Sequence, residues 1–158
     1  MFPRLLILAA LTGSLSTPIA AAATYSNAKY GYSVTYPEGQ LKSLPQPDAG
    51  DGITMKAKAG QAEIRVWGEY NVQPYSAEDI AKMAEQECPN HRASYRVTKA
   101  NLVAVSCALP STIFYQKTLI RGDRMATLWA KYPLSEKSRW DAVVTQMAKA
   151  LRINECSY

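Results

Sequence analysis

The chain has 158 residues, a net charge of +5 and 47% hydrophobic residues. That balance excludes a disordered polymer, which lacks the apolar content needed to offset chain ordering, and it suits one domain of ordinary size. No stretch carries the run of about five or six like charges that marks a nucleic-acid-binding tail.

Residues 1–23 read as a secretory leader. Arg4 supplies a positive start, Leu5 to Leu11 an apolar run, and Ala20 to Ala23 the small residues that a signal peptidase requires. The apolar run is shorter than the roughly 20 residues that cross a bilayer, so the expectation is a cleaved peptide. No cysteine sits at the cleavage point, which argues against a lipid anchor or any other stable membrane anchor. Cleavage is expected after Ala23. One globular domain, Thr24 to Tyr158, would then be periplasmic or secreted, a location that removes nucleic acid as a partner. The oligomeric state is left open.

In the remaining chain, Tyr30, Tyr32, Val34 and Tyr36 alternate with Gly31, Ser33 and Thr35, which predicts a strand with one aromatic face. Pro37 to Gly39 ends it, and residues 43–52, rich in Pro, Gly and Asp, form a loop. Ile53, Met55 and Ala57 alternate with polar residues, as do Ala62, Ile64 and Val66, predicting a hairpin turned at Ala59 to Gln61. Ser76 opens a helix, with Asp79 in the reciprocal capping position. Ile80, Met83, Ala84 and Cys88 fall on one side of that helix, and Pro89 stops it. Strands follow at Ser94 to Thr98, Leu102 to Ala108, Ile113 to Arg121 and Arg124 to Tyr132, the last two joined at Gly122-Asp123. Ser135 is the expected cap of a final helix reaching about Arg152. Its apolar stripe is Trp140, Val143, Val144, Met147 and Leu151.

These segments add up to an α+β domain: a largely antiparallel sheet of about seven strands with two main helices packed on it. The cysteines Cys88, Cys107 and Cys156 allow three pairings in an oxidising compartment. A hairpin folded at Ala100-Asn101 brings Ser94 opposite the Cys107 region, which favours Cys88 with Cys107. Cys156 would then be a free thiol on a short tail or the seat of an intermolecular bridge.

The run Asn27 to Pro37, then Gly50-Asp51-Gly52, then Ala62 to Gly68, resembles a group of small secreted bacterial proteins of uncharacterised function. Tyr95-Arg96-Val97, Val103 to Ser106, Ile113-Phe114-Tyr115 and Tyr132-Pro133 extend the resemblance to the second half. The opening is also similar to PsbP-like domains, where an aromatic-rich strand ends in Tyr-Pro. That resemblance implies an antiparallel sheet sandwiched by helices, and a binding or accessory role without cofactor. It supplies no catalytic motif.

The chemistry-bearing residues point the same way. His91 is the only histidine, and Cys88-x-x-His91 lacks the second ligand pair of a zinc site. No Gly-x-Ser-x-Gly elbow is present for a serine hydrolase. Asp48 and Asp51 lack the alternating oxygen ligands of a calcium loop and read as turn residues. More suggestive are Tyr30, Tyr32 and Tyr36, which can line a groove, and Tyr70 and Tyr75, which flank the helix entry, since aromatic rings concentrate at interfaces. Arg121 and Arg124, with the lysines around them, offer a basic patch on a hairpin. The expectation is a non-enzymatic periplasmic binding or accessory domain with an envelope protein partner. A narrower version is an immunity protein against a toxin delivered to the periplasm. The rival is an envelope glycan or peptidoglycan hydrolase, which requires carboxylates such as Asp48 and Asp51 to converge.

Overall fold

The computed structural model describes residues 21–154; most of the leader, and Cys156, lie outside them. The seven expected strands are all present, with three added, two of them only two or three residues long. In chain order the elements are β1 (Ala22–Asn27), β2 (Tyr32–Pro37), β3 (Leu41–Ser43), β4 (Gly52–Ala57) and β5 (Glu63–Tyr70). Then come α1 (Ala77–Glu85), β6 (Tyr95–Lys99), β7 (Leu102–Ala108), β8 (Thr112–Arg121), β9 (Arg124–Pro133), α2 (Lys137–Ala150) and β10 (Arg152–Ile153). Seven strands form an antiparallel sheet ordered β3-β4-β5-β9-β8-β7-β6, and β1-β2-β10 form a small second sheet.

The period of two assigns the faces of the large sheet. In the β8–β9 pair, Ile113, Tyr115, Lys117 and Leu119 lie opposite Tyr132, Ala130, Leu128 and Ala126 on one face. Phe114, Gln116, Thr118 and Ile120 lie opposite Lys131, Trp129, Thr127 and Met125 on the other. The first face carries the larger core. Ile64, Val66, Leu128 and Ala130 meet Tyr32 and Val34 of the small sheet and Trp140, Val143, Val144, Met147 and Leu151 of α2. The helical stripe read from the sequence is therefore the buried one. The second face carries a smaller core in which Ile80, Ala81 and Ala84 of α1 meet Val103, Val105, Phe114 and Met125.

Two helix boundaries differ from expectation. Leu134 to Glu136 form a single 3-10 turn, so Glu136 rather than Ser135 precedes α2. Helix α1 ends at Glu85, before Pro89, which opens a further 3-10 turn at Pro89–His91. Its start follows the sequence: the Ser76 hydroxyl accepts from the Asp79 amide at 3.2 Å, and the Asp79 carboxylate accepts from the Ser76 amide at 2.9 Å.

Strand β1 gives the expected aromatic strand an antiparallel partner that the sequence did not announce. Ala22 and Ala23 pair with Pro37 and Tyr36, and Thr24 to Asn27 pair with Thr35 to Tyr32. The expected cleavage after Ala23 would leave the longer part of this pairing, Thr24 to Asn27 with Thr35 to Tyr32, intact.

The first turns of α2 are anchored by polar contacts. Tyr132 Oη donates to Asp141 Oδ1 at 2.6 Å, and Lys137 pairs with the same carboxylate. Burial alone would push the Asp141 carboxyl up, but the hydrogen bonds from Lys137 and Tyr132 outweigh it and hold the carboxyl below its ordinary value. The folded state then gains stability from this group above the unfolded carboxylate range, near pH 4, and loses it as pH falls through the lowered value. The carboxylate is partly exposed, so screening reduces the effect to about 1 kcal/mol. Unfolding in urea between about pH 5 and pH 2 should show a flatter acid limb for Asp141→Asn than for the parent chain.

Candidate functional site

Helix α1 lies over β6 and β7, with Phe114 of β8 and Met125 of β9 in the core beneath it, and leaves the β5 side of this face uncovered. The uncovered edge leaves a groove of about 320 Å³ between α1 and the sheet. Its floor is Trp67 of β5, Gln116 and Thr118 of β8, and Thr127 of β9; Ile80 and Met83 of α1 form one wall. The loop 71–75 closes one end. Thr118 and Thr127 are buried and share a hydrogen bond of 3.0 Å between their hydroxyls, so these two polar groups of the floor satisfy each other.

The loop is held in place rather than left open. The Asn71 amide donates to Asp123 O at 2.7 Å, Asn71 Nδ2 donates to Tyr75 O at 3.0 Å, and the Tyr75 amide donates to Asn71 Oδ1 at 3.1 Å. Fixed in this way, Val72 points into solvent with 85% of its surface exposed. Met83, Tyr70 and Tyr75 are 48%, 45% and 42% exposed. Four of the six large apolar side chains exposed among the described residues therefore rim one groove, a concentration that scattered exposure does not produce.

The five tyrosines named as binding candidates divide into three groups. Tyr70 and Tyr75 line the groove. Tyr30 buttresses Tyr70, with ring centroids 5.2 Å apart, while Tyr70 Oη donates to Lys29 O at 3.2 Å. Tyr32 and Tyr36 lie elsewhere. Tyr32 is fully buried, and its hydroxyl donates to Asp51 O at 2.9 Å and approaches Val66 O at 3.3 Å. Burial pushes its phenol well above the ordinary value. Its ring fits only because Gly68 lies beneath it: a Cβ there would sit 2.6 Å from Tyr32 Cε1. Tyr36 is half-buried against the larger core. Alternation identified the aromatic face correctly, but that face packs inward.

The two arginines of the expected basic patch face each other across the β8–β9 turn, Arg121 exposed and Arg124 partly buried. Arg121 Nη1 donates to Ile153 O at 3.3 Å and Arg124 Nη2 to Asn154 O at 3.2 Å. Both guanidiniums thus reach carbonyls of the segment at β10, about thirty residues later in the chain. Met83, assigned from helical spacing to the packed side of α1, lies at the groove rim instead. The helix seats on the sheet through Ile80, Ala81 and Ala84, which leaves Met83 over the uncovered edge.

Cys88 and Cys107 form a disulfide with a Cα–Cα distance of 5.8 Å, which joins the chain just after α1 to β7. The Ser94 amide donates to Ser106 O at 3.0 Å, the hairpin closure that brings the two cysteines together. His91 is exposed on the adjacent turn, and Cys88 is occupied by its bond to Cys107. Asp48 is exposed on the loop before β4, while the Asp51 carbonyl accepts from both Tyr32 and Gly68. No group of three or more His, Cys, Asp or Glu that could hold a metal occurs among the described residues. No described helix is long and apolar enough to cross a membrane.

A seven-stranded antiparallel sheet with α1 on one face, and α2 and a small sheet on the other, is an α+β architecture with the PsbP-like fold. The chain is similar to the solution structure of cyanobacterial PsbP (CyanoP) from Synechocystis sp. PCC 6803, at TM-score 0.61 and 12% identity, over 89% of this chain and 96% of that one. A crystal structure from Bacteroides thetaiotaomicron VPI-5482 matches at TM-score 0.53 and 9% identity, covering 84% of this chain and 48% of that one. No family model and no curated protein matches the sequence.

Proposed function

We propose that this chain is a non-enzymatic accessory domain of the cell envelope that engages a protein partner through the groove beside α1. The observation that carries the reading is the cluster of Tyr70, Val72, Tyr75 and Met83 around a preformed groove. Exposed apolar side chains held on a hydrogen-bonded loop lose little freedom on binding, which favours association. A partner anchor, aromatic or aliphatic, would enter over Thr118 and Thr127 and be ringed by Tyr70 and Tyr75. The disulfide suits an oxidising compartment such as the periplasm, and the leader read from residues 1–23 supplies a route there.

The test is affinity capture from envelope extract with the tagged mature chain, beside Val72→Asp and Met83→Lys. Both substitutions fall on exposed positions, so the fold should stand. A specific partner is expected with the parent chain, and its recovery should drop about ten-fold or more with either variant. Equal recovery with both variants, or no partner above background, would overturn the reading.

A further inference from the structure

A second and larger groove, of about 650 Å³, lies on the opposite face of the sheet between α2 and β7–β8. Its floor is apolar, built from Leu102, Ala104 and Ile113, with the rings of Tyr95 and Tyr115 beside it. Its charged lining falls in two groups, Lys137 with Asp141 toward one end and Lys117 with Lys149 toward the other. Lys117 is half-buried on β8 and donates to Ala148 O near the C-terminus of α2; Lys149 lines the same end. Among the described residues neither lysine forms an ion pair. The one lining carboxylate, Asp141, is taken up by Lys137 and Tyr132 two turns earlier on the helix. Burial, followed by repulsion from Arg152, pushes the Lys117 ammonium below its ordinary value, the response of a charge without a counterion.

We propose that this groove binds an amphipathic organic anion, its head held by Lys117 and Lys149 and its apolar body lying over Leu102, Ala104 and Ile113. A half-buried ammonium with donor capacity left over makes its strongest hydrogen bonds to an ionised acceptor. The volume falls within the range of small-molecule sites, and the lining has their composition, mostly apolar with a few convergent polar groups. An inorganic anion would leave the floor wet, and a neutral lipid would leave the lysines without a counterion. A carboxylate or sulfonate on a chain or ring of moderate length meets both demands. This ligand is independent of the protein partner at α1, since the two grooves lie on opposite faces of the sheet.

The test is titration of the nitrogen-15-labelled chain with sodium octanoate, followed by amide chemical shifts. Saturable shifts are expected at Leu102, Ala104, Lys117 and Thr145. Octan-1-ol and inorganic phosphate should each bind about ten-fold more weakly, because each lacks one of the two recognised features. Lys117→Met and Lys149→Gln should each weaken octanoate about ten-fold, and Thr145→Trp, at an exposed helix position lining the groove, should block it. Met83→Lys, in the other groove, should bind octanoate as the parent does. Lys149 is exposed, so its variant keeps the test decisive if Lys117→Met fails to fold. Unchanged affinity in Lys149→Gln, equal affinity for octanol or phosphate, or shifts centred on the α1 groove would overturn the proposal.

Discussion

Trp140→Ala should lower the stability of the domain by about 3–5 kcal/mol, a large share of the roughly 5–15 kcal/mol that holds a domain folded. Trp140 has no exposed surface and packs into the larger core from α2. Its indole N–H donates to Glu136 Oε2 at 2.7 Å, and the Arg139 guanidinium lies 4.8 Å from its ring. Alanine would leave a cavity where α2 meets the small sheet, and a close-packed interior closes such a cavity only in part. Glu136 is partly exposed, so water can replace the lost hydrogen bond; the cost is mainly packing. Trp140→Phe separates the two contributions and should cost about 1–2 kcal/mol. Urea unfolding followed by circular dichroism checks both values. A loss below about 1 kcal/mol for the alanine variant would show that α2 is not the main cover of this face.

The stripe containing Trp140 was legible because its signal is local. Five apolar residues at helical spacing need no knowledge of their partner. The adjacent hairpins were legible for the same reason, since alternation and a turn lie within one short stretch. The missed strands lacked such a signal. β3 and β10 are three and two residues long and are strands only because β4 and β2 lie alongside. β1 was hidden by composition, because Ala22 and Ala23 also read as the end of a leader. The side chains of the groove beside α1 divided along the same line. Tyr70 and Tyr75 could be placed beside the helix entry, but the role of Trp67, Thr118 and Thr127 depends on the β5-β9-β8 order, which no single segment states. Tyr32 and Met83 show the converse error. A period tells which residues share a face, but not whether that face meets solvent or core.

The second large effect concerns the disulfide. Replacing both Cys88 and Cys107 by alanine should cost about 3 kcal/mol and lower Tm by about 10 °C. The bond closes a loop spanning 19 residues, and the loop-closure account of a crosslink of that size gives the magnitude. The position of the bond determines where the loss falls. Helix α1 has nine residues and seats on the sheet through three small or medium apolar side chains, a short helix with a modest buried face. Cys88 fixes the chain just beyond its C-terminal end to β7, while Asp79 and Ser76 fix its start. Without the crosslink, α1 should open before the sheet does, and its amides should exchange hydrogen faster than those of β8 and β9. Because α1 forms one wall of the Met83 groove, partner capture should weaken in the same variant and in the reduced parent chain. The groove between α2 and β7–β8 should still take octanoate, since the larger core holds α2 in place. Reductant should lower the parent's Tm to that of the double variant and leave the variant unchanged. A parent chain indifferent to reductant, with α1 exchanging as slowly as the sheet, would mean that the smaller core alone seats the helix.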